Sequence, residues 1–140
     1  MRVCFVGEFS GASDEGMKNV MRHLTSEAAK YHETVQFSML SAERLFRNPA
    51  ITFLSKRINE EIRRFKPHII HYVPYGLTVF SMLRARVMGS GMRGVKVVMS
   101  CLQRPRLRSP MSEPLMAALK PTLVLVQSRS TQMMLSRIGI

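Results

Sequence analysis

The stretch Lys66-Pro67-His68-Ile69-Ile70-His71-Tyr72-Val73-Pro74-Tyr75-Gly76-Leu77 decides the fold. Pro67 stops the amphipathic segment before it, because the residue ahead of a proline is held out of the helical region. Ile69–Val73 is a short apolar, β-prone run of the kind found in strands buried on both faces. Pro74 and Gly76 supply a turn, and an apolar-periodic stretch begins at Leu77. Helix, strand, turn and helix within two dozen residues is the signature of a parallel α/β unit, and the rest of the chain repeats it.

Upstream, Arg2–Val6 is continuously apolar after its arginine and is bounded by Gly7. It reads as a doubly buried strand. The loop Glu8–Gly16 follows, with Ser13 or Asp14 as the helix cap. Met17, Val20, Met21, Leu24 and Ala28 then recur at helical spacing. Thr34–Leu40 alternates as a second strand. Pro49 opens a further helix, with Ile51, Leu54, Ile58, Ile62 and Phe65 on one side and Lys56, Arg57, Glu60, Arg63 and Arg64 on the other. Downstream, the helix from Leu77 to about Val87 is expected to turn Phe80, Leu83 and Val87 inward, and Gly89-Ser90-Gly91 closes it. Val95–Met99 is the fourth strand. A loop rich in Pro and Arg, Leu102–Pro110, leads to a short helix at Pro114–Leu119. Thr122–Val126 is the fifth strand, and Ser128 caps a last helix to about Ile138. The expected fold is one Rossmann-like domain over 1–140: a doubly wound parallel sheet of about five strands in three α/β/α layers, with right-handed crossovers.

The 140 residues are 46% hydrophobic, enough for a core. No run is long enough to span a bilayer, and the opening residues are not a signal peptide. Cys4 and Cys101 lack a CxxC or histidine partner and read as buried free thiols of a reducing compartment, which makes the cytoplasm the expected location. The twelve methionines read as adaptable core packing.

Charge is uneven. The net charge is +12, eight of the nine acids lie at or before Glu61, and ten basic residues with no acid run from Arg63 to Arg108. Such a field attracts phosphate groups, whether of nucleic acid, an anionic membrane or a phosphorylated substrate. A solvated basic surface is the plainer reading. In a doubly wound sheet, the loops after the strands share one edge, where ligands bind. That edge collects Gly11, Gly16, the Tyr72–Gly76 turn, Arg104, Arg106, Arg108, Ser128 and Arg129, an expected anion site.

Specific chemistry is sparse. Gly7, Gly11 and Gly16 do not match GxGxxG, and no Walker A pair follows them. HExxH, GxSxG and a metal-binding carboxylate cluster are absent, so neither a metal nor a cofactor is expected. Gly11 and Gly16 are read either as backbone contacts to a sugar or phosphate or as turn formers alone. His71 is read first as a structural histidine, with ligand contact as the alternative.

In order and spacing, four pieces resemble the N-terminal domain of a family 4 glycosyltransferase, one half of the two-domain GT-B architecture. They are Met1–Gly7 with its glycine loop, the helix around Asn19–Leu24, Phe65–Tyr72 (similar to the family's "kPDiiH" strand), and Pro121–Ser128 before a helix ending in Gly-hydrophobic. The resemblance implies an acceptor-side domain, acting without a metal, whose nucleotide-sugar donor is held by a C-terminal domain that this chain lacks. It implies activity only with that domain, as a fused or separate partner. Gly11 and Gly16 would lie at the cleft floor and His71 at its edge, and Ser128 would begin the last strand-to-helix turn. Acceptors of such enzymes include lipid-linked and phosphorylated sugars, and a basic face commonly rests on anionic membrane. Two departures weaken the likeness: Leu102 stands where the family often has histidine, and His68 replaces the usual aspartate. A basic module for nucleic acid or other anions is the rival reading, although no helix-turn-helix, zinc finger or RNP pattern occurs. A flavodoxin- or receiver-like regulatory domain is a further one, against which stands the lone Glu8 where a receiver has an acidic cluster.

Overall fold

The structure, a computed structural model, describes residues 1–8, 15–39, 56–103 and 112–140. The element order is β1 (Arg2–Glu8), α1 (Glu15–Ala29), β2 (Glu33–Met39), α2 (Lys56–Phe65), β3 (Ile69–Val73), α3 (Val79–Gly89), β4 (Lys96–Cys101), α4 (Ser112–Ala118), β5 (Leu123–Val126) and α5 (Arg129–Arg137). Five strands among the described residues form one all-parallel sheet in the order β2-β1-β3-β4-β5. The expected Rossmann-like α/β/α fold is therefore present. Its strand order is the flavodoxin-like form of doubly wound sheets, with the change of direction between β1 and β3.

Two apolar layers sandwich the sheet because side chains alternate across it. Val3, Phe5 and Val73 face α1 and pack with Met17 and Met21. Cys4, Val6, Ile70, Tyr72, Val97 and Met99 face the other way and pack with Ile62 of α2, Met82, Ala85 and Met88 of α3, Met116 of α4 and Leu135 of α5. Four of the helices thus share one face, as right-handed crossovers running from β1 towards β5 require. Both cysteines are free and buried, as expected. No helix among the described residues is long and apolar enough to cross a membrane.

Most boundaries fall close to the sequence reading, with informative exceptions. β1 runs on through Gly7 and Glu8, which pair with Ser38 and Met39. β4 extends to Cys101. Of the long helix expected from Pro49, residues 56–65 are seen as α2, with Ile62 buried and Ile58 and Phe65 packed beside it; Ile51 and Leu54 lie outside the described residues, as do Ser13 and Asp14. α3 corrects its expected inward face. Ser81, Met82, Arg84, Ala85 and Met88 are buried, whereas Val87 is 37% exposed. Met82, Ala85 and Met88 form the apolar stripe that packs on the sheet, and Arg84 shares that face because it is paired with buried Glu8.

α3 also has the clearest local reasons for its ends. Thr78 and Ser81 form a reciprocal capping box, with Thr78 Oγ1 accepting from the Ser81 amide at 3.2 Å and Ser81 Oγ from the Thr78 amide at 2.9 Å. At the other end a Cβ on Gly89 would stand 2.8 Å from Val97 Cγ2, so glycine is what lets the helix close against β4.

Candidate functional site

The ends of β1, β3, β4 and β5 converge on the carboxyl edge, and the described residues there form three arrangements. The first is a buried polar cluster at the β1/β3 change of direction. Glu8, 1% exposed, accepts hydrogen bonds through Oε1 from the Tyr72 hydroxyl and from Arg84 Nη1, and its Oε2 accepts from the Tyr75 amide at 3.1 Å. Arg84 is equally buried. Burial is the main force that holds the Tyr72 hydroxyl well above its usual range, with the neighbouring Glu8 charge adding to it. The cluster ties β1, β3, the turn after β3 and α3 into one unit.

The second arrangement lies on the opposite face of the sheet. His71 Nε2 and Ser100 Oγ are 2.7 Å apart, and the imidazole stacks on Phe5 with ring centroids 5.3 Å apart. Burial lowers the His71 pKa below its usual value, which favours the neutral ring. A neutral imidazole in contact with a serine hydroxyl can donate or accept one proton, and the tautomer sets the direction.

The third is a concavity of about 220 Å³ between the ends of β4 and β5 and the start of α5. Leu102, Gln103, Gln127, Ser128, Ser130 and Thr131 line it. Ser128 caps α5 and accepts from the Thr131 amide at 3.2 Å, and its hydroxyl donates to Thr131 Oγ1 at 2.8 Å. Among the described residues the lining is uncharged: Cys101 and Leu102 are apolar, and Gln103, Gln127, Ser128, Ser130 and Thr131 carry amides and hydroxyls. Such a surface can hydrogen-bond a polyhydroxyl compound or an anionic oxygen.

The residues singled out from sequence divide accordingly. Ser128 lines the concavity and Arg129, next along, is exposed. His71 sits beside Ser100 on the α1 face. Tyr72 points into the opposite core, where it is fully buried and hydrogen-bonded to Glu8. Gly16 occupies the first turn of α1, and a Cβ there would meet nothing within 4 Å. Gly11, Arg104, Arg106 and Arg108 lie outside the described residues. Gln103 and Gln127 lie in loops that the sheet-edge rule had already brought together, Ser100–Arg108 and Gln127–Arg129, though neither was singled out; Ser130 and Thr131, in the first turn of α5, were missed.

Much of the described basic surface falls at the other end of the sheet. Arg63 and Arg64 close α2, Arg86 lies in the last turn of α3, Arg93 precedes β4, and Lys96 begins it; all are exposed. Lys66, which has a φ of +50°, joins α2 to β3 on the same side. His68 works here too: its Nδ1 accepts the Arg2 amide at 2.9 Å and fastens the start of β1 to β3. The chain matches no protein-family model and no curated protein.

Proposed function

We propose that the chain is the acceptor-side domain of a GT-B glycosyltransferase, transferring a sugar from a nucleotide-sugar held by a second, donor-side domain. The observation that supports this reading is the neutral, hydroxyl- and amide-lined concavity at the carboxyl edge, where doubly wound sheets hold their ligands. Its chemistry suits the hydroxyls of a sugar, with Arg129 beside it for a phosphate. In this reading Ser128 and Arg129 contact the acceptor, Gly16 does so from the first turn of α1, and His71 stands at the margin. The acceptor is a sugar, phosphorylated or lipid-linked. The domain works in the cytoplasm, with its basic amino edge against an anionic membrane.

Amide chemical shifts test this during titrations with glucose 6-phosphate, inorganic phosphate and a 16-base-pair DNA duplex. Glucose 6-phosphate is expected to move the amides of 103 and 127–131 more than inorganic phosphate does. Unmoved amides there, together with duplex binding that weakens steeply with salt, would replace this reading with that of a basic binding module.

A further inference from the structure

Within the basic amino edge one group of side chains is built more closely than a diffuse field requires. Lys66 is the one non-glycine residue among those described with a positive φ, +50°. It follows the last turn of α2, where helices commonly end on a left-handed glycine, and glycine would hold that conformation without strain. Arg63 and Arg64 already place two cations in that last turn, so the helix end does not call for a third. His68 accepts the Arg2 amide through Nδ1 at 2.9 Å, which leaves the ring proton on Nε2, and the residue is exposed. Arg2 is half-buried, and its Nε is a buried donor with no hydrogen-bond partner among the described residues. A buried donor without an acceptor is destabilising, and an anion beside it would satisfy it.

Register sets these groups on one face. Val3 pairs with Ile69, and the ladder continues outward, with the His68 amide donating to Arg2 O at 2.9 Å. Arg2 and His68 therefore stand side by side on adjacent strands. Cys4 and Ile70, two places further along, belong to the core beneath α2; side chains alternate, so Arg2 and His68 share that face with Lys66 at the end of α2. Lys96 pairs with Ile69 and so belongs to the opposite face, although it begins the neighbouring strand. Glu33 pairs with Arg2 from β2, and it makes no ion pair among the described residues.

We propose that Arg2, Lys66 and His68 form a binding site for a phosphomonoester, distinct from the general attraction of the amino edge. The Arg2 guanidinium and the Lys66 ammonium supply charge, and His68 Nε2–H supplies a directed donor. Soluble phosphorylated compounds and a phosphatidate headgroup carry this same chemistry. The site does not rest on the transferase reading, since it lies at the opposite end of the strands from the concavity.

The test uses the whole 140-residue chain, with inorganic phosphate and lipid vesicles as probes. In an NMR titration with inorganic phosphate at constant ionic strength, the amides of Arg2, Lys66 and His68 and the His68 ring are expected to move together. The amides of 127–131 report the carboxyl edge separately, so either reading can fail without the other. Lys66→Gly is expected to weaken binding at least about fivefold while leaving the thermal midpoint unchanged or raised. Lys96→Gln removes the same charge from the other face and is expected to weaken it less than about twofold. His68→Asn keeps an oxygen for the Arg2 amide but loses the Nε2 donor, and is expected to weaken binding about threefold. Vesicles containing phosphatidic acid or an equal fraction of phosphatidylglycerol identify the source. A preference for phosphatidic acid that Lys66→Gly abolishes assigns the site to a headgroup, and phosphate binding without that preference assigns it to a soluble ligand. Two results would overturn the proposal: no movement at Arg2, Lys66 and His68 up to about 20 mM phosphate, or equal weakening by Lys66→Gly and Lys96→Gln, which would leave only a diffuse positive field.

Discussion

Removing the cation from the buried Glu8–Arg84 pair is the most direct trial of how this domain is held together. In Arg84→Met the side chain keeps much of its length and apolar packing but leaves the Glu8 carboxylate buried, with only the Tyr72 hydroxyl and the Tyr75 amide still on it among its described partners. Breaking one side of a buried pair costs about 3–5 kcal/mol. The two surviving hydrogen bonds place the expected loss near the lower end, about 3 kcal/mol. With a urea m-value of about 1.5–2 kcal/mol/M, the unfolding midpoint falls by about 1.5–2 M. Glu8→Gln alone removes the carboxylate charge from beside the buried Arg84 cation and is expected to cost a similar amount, about 3 kcal/mol. The double variant carries neither charge, so its loss should be smaller than the sum of the singles by about 2 kcal/mol or more. Urea titrations followed by circular dichroism at pH 7 give all four corners of the cycle. Hydrogen exchange at Tyr75 adds a local readout, because its amide rests on Glu8. A loss below about 1 kcal/mol for Arg84→Met, or additive singles, would refute the view that this pair fastens α3 to the sheet.

Burial pushes the Cys4 thiol up to about 12 and that of Cys101 to about 11, and raises Tyr72 above its usual range. A raised folded-state pKa gives stability that is complete below the unfolded value and is lost as pH climbs to the folded one. Unfolding titrations should therefore show stability falling from about pH 9 upward, by about 1.4 kcal/mol per pH unit for each group in its window; a flat profile from pH 9 to 11 would contradict the burial. His71 moves the other way, so its contribution is complete above about pH 6.5 and declines as pH falls through its lower folded value. A proton NMR titration should find its midpoint below 6.5, and one at or above 6.5 would show an exposed ring. Gly89→Ala drives a methyl against Val97, which is itself buried, and should cost about 1–2 kcal/mol despite alanine's better helix propensity. A thermal midpoint unchanged or raised would show that α3 can move off β4. Finally, Lys66→Glu/Arg93→Glu/Lys96→Glu should lower retention on a heparin column while leaving the thermal midpoint within about 2 °C; unchanged retention would remove the amino edge as an anion-attracting surface.

The sheet was legible because four of its strands announced themselves twice, by an apolar run and by a glycine or proline beside it, and β2 showed itself by alternation. Ile69–Val73 between Pro67 and Pro74 is the plainest instance, and its limits matched to the residue. The inward face of α3 was not legible, since a periodicity argument assigns arginine to solvent. Nothing local to Arg84 reveals that Glu8, 76 residues earlier, is buried beside it. Glu8 in turn was read as the first loop residue, yet it pairs in the sheet and carries the cluster at the carboxyl edge. The candidate site was half legible for a similar reason. Ser128 stood out because a serine before a helical stretch is a cap whatever the tertiary fold. The sheet-edge rule brought the loop of Gln103 near it, but the contact with Thr131 follows from the pairing of Cys101 with Val126, which is a property of register and not of either segment.

Register also decides what the positive charge can do. Parallel α/β units send every crossover helix back from the carboxyl edge to the amino edge, so the helix C-termini, with their partial negative charge, gather at the amino edge. Arg63 and Arg64, Arg86 and Arg137 occupy the last turns of α2, α3 and α5, where part of their charge offsets those helix ends. Lys66 follows the end of α2 directly, whereas Arg93 stands in a connection and Lys96 at a strand start, with no helix terminus of their own to offset. The described basic residues from 63 to 96, apart from buried Arg84, therefore do two kinds of work on one edge, local stabilisation and long-range attraction. The carboxyl edge carries the opposite helix ends, the start of α5 among them, whose partial positive charge favours an anionic group. A phosphorylated or lipid-linked ligand bound at that edge would thus meet backbone donors and Arg129, while an anionic surface would meet the side chains at the far end. The two attractions are separated by the length of the strands, so one domain can rest on a charged surface and keep its ligand edge turned away from it.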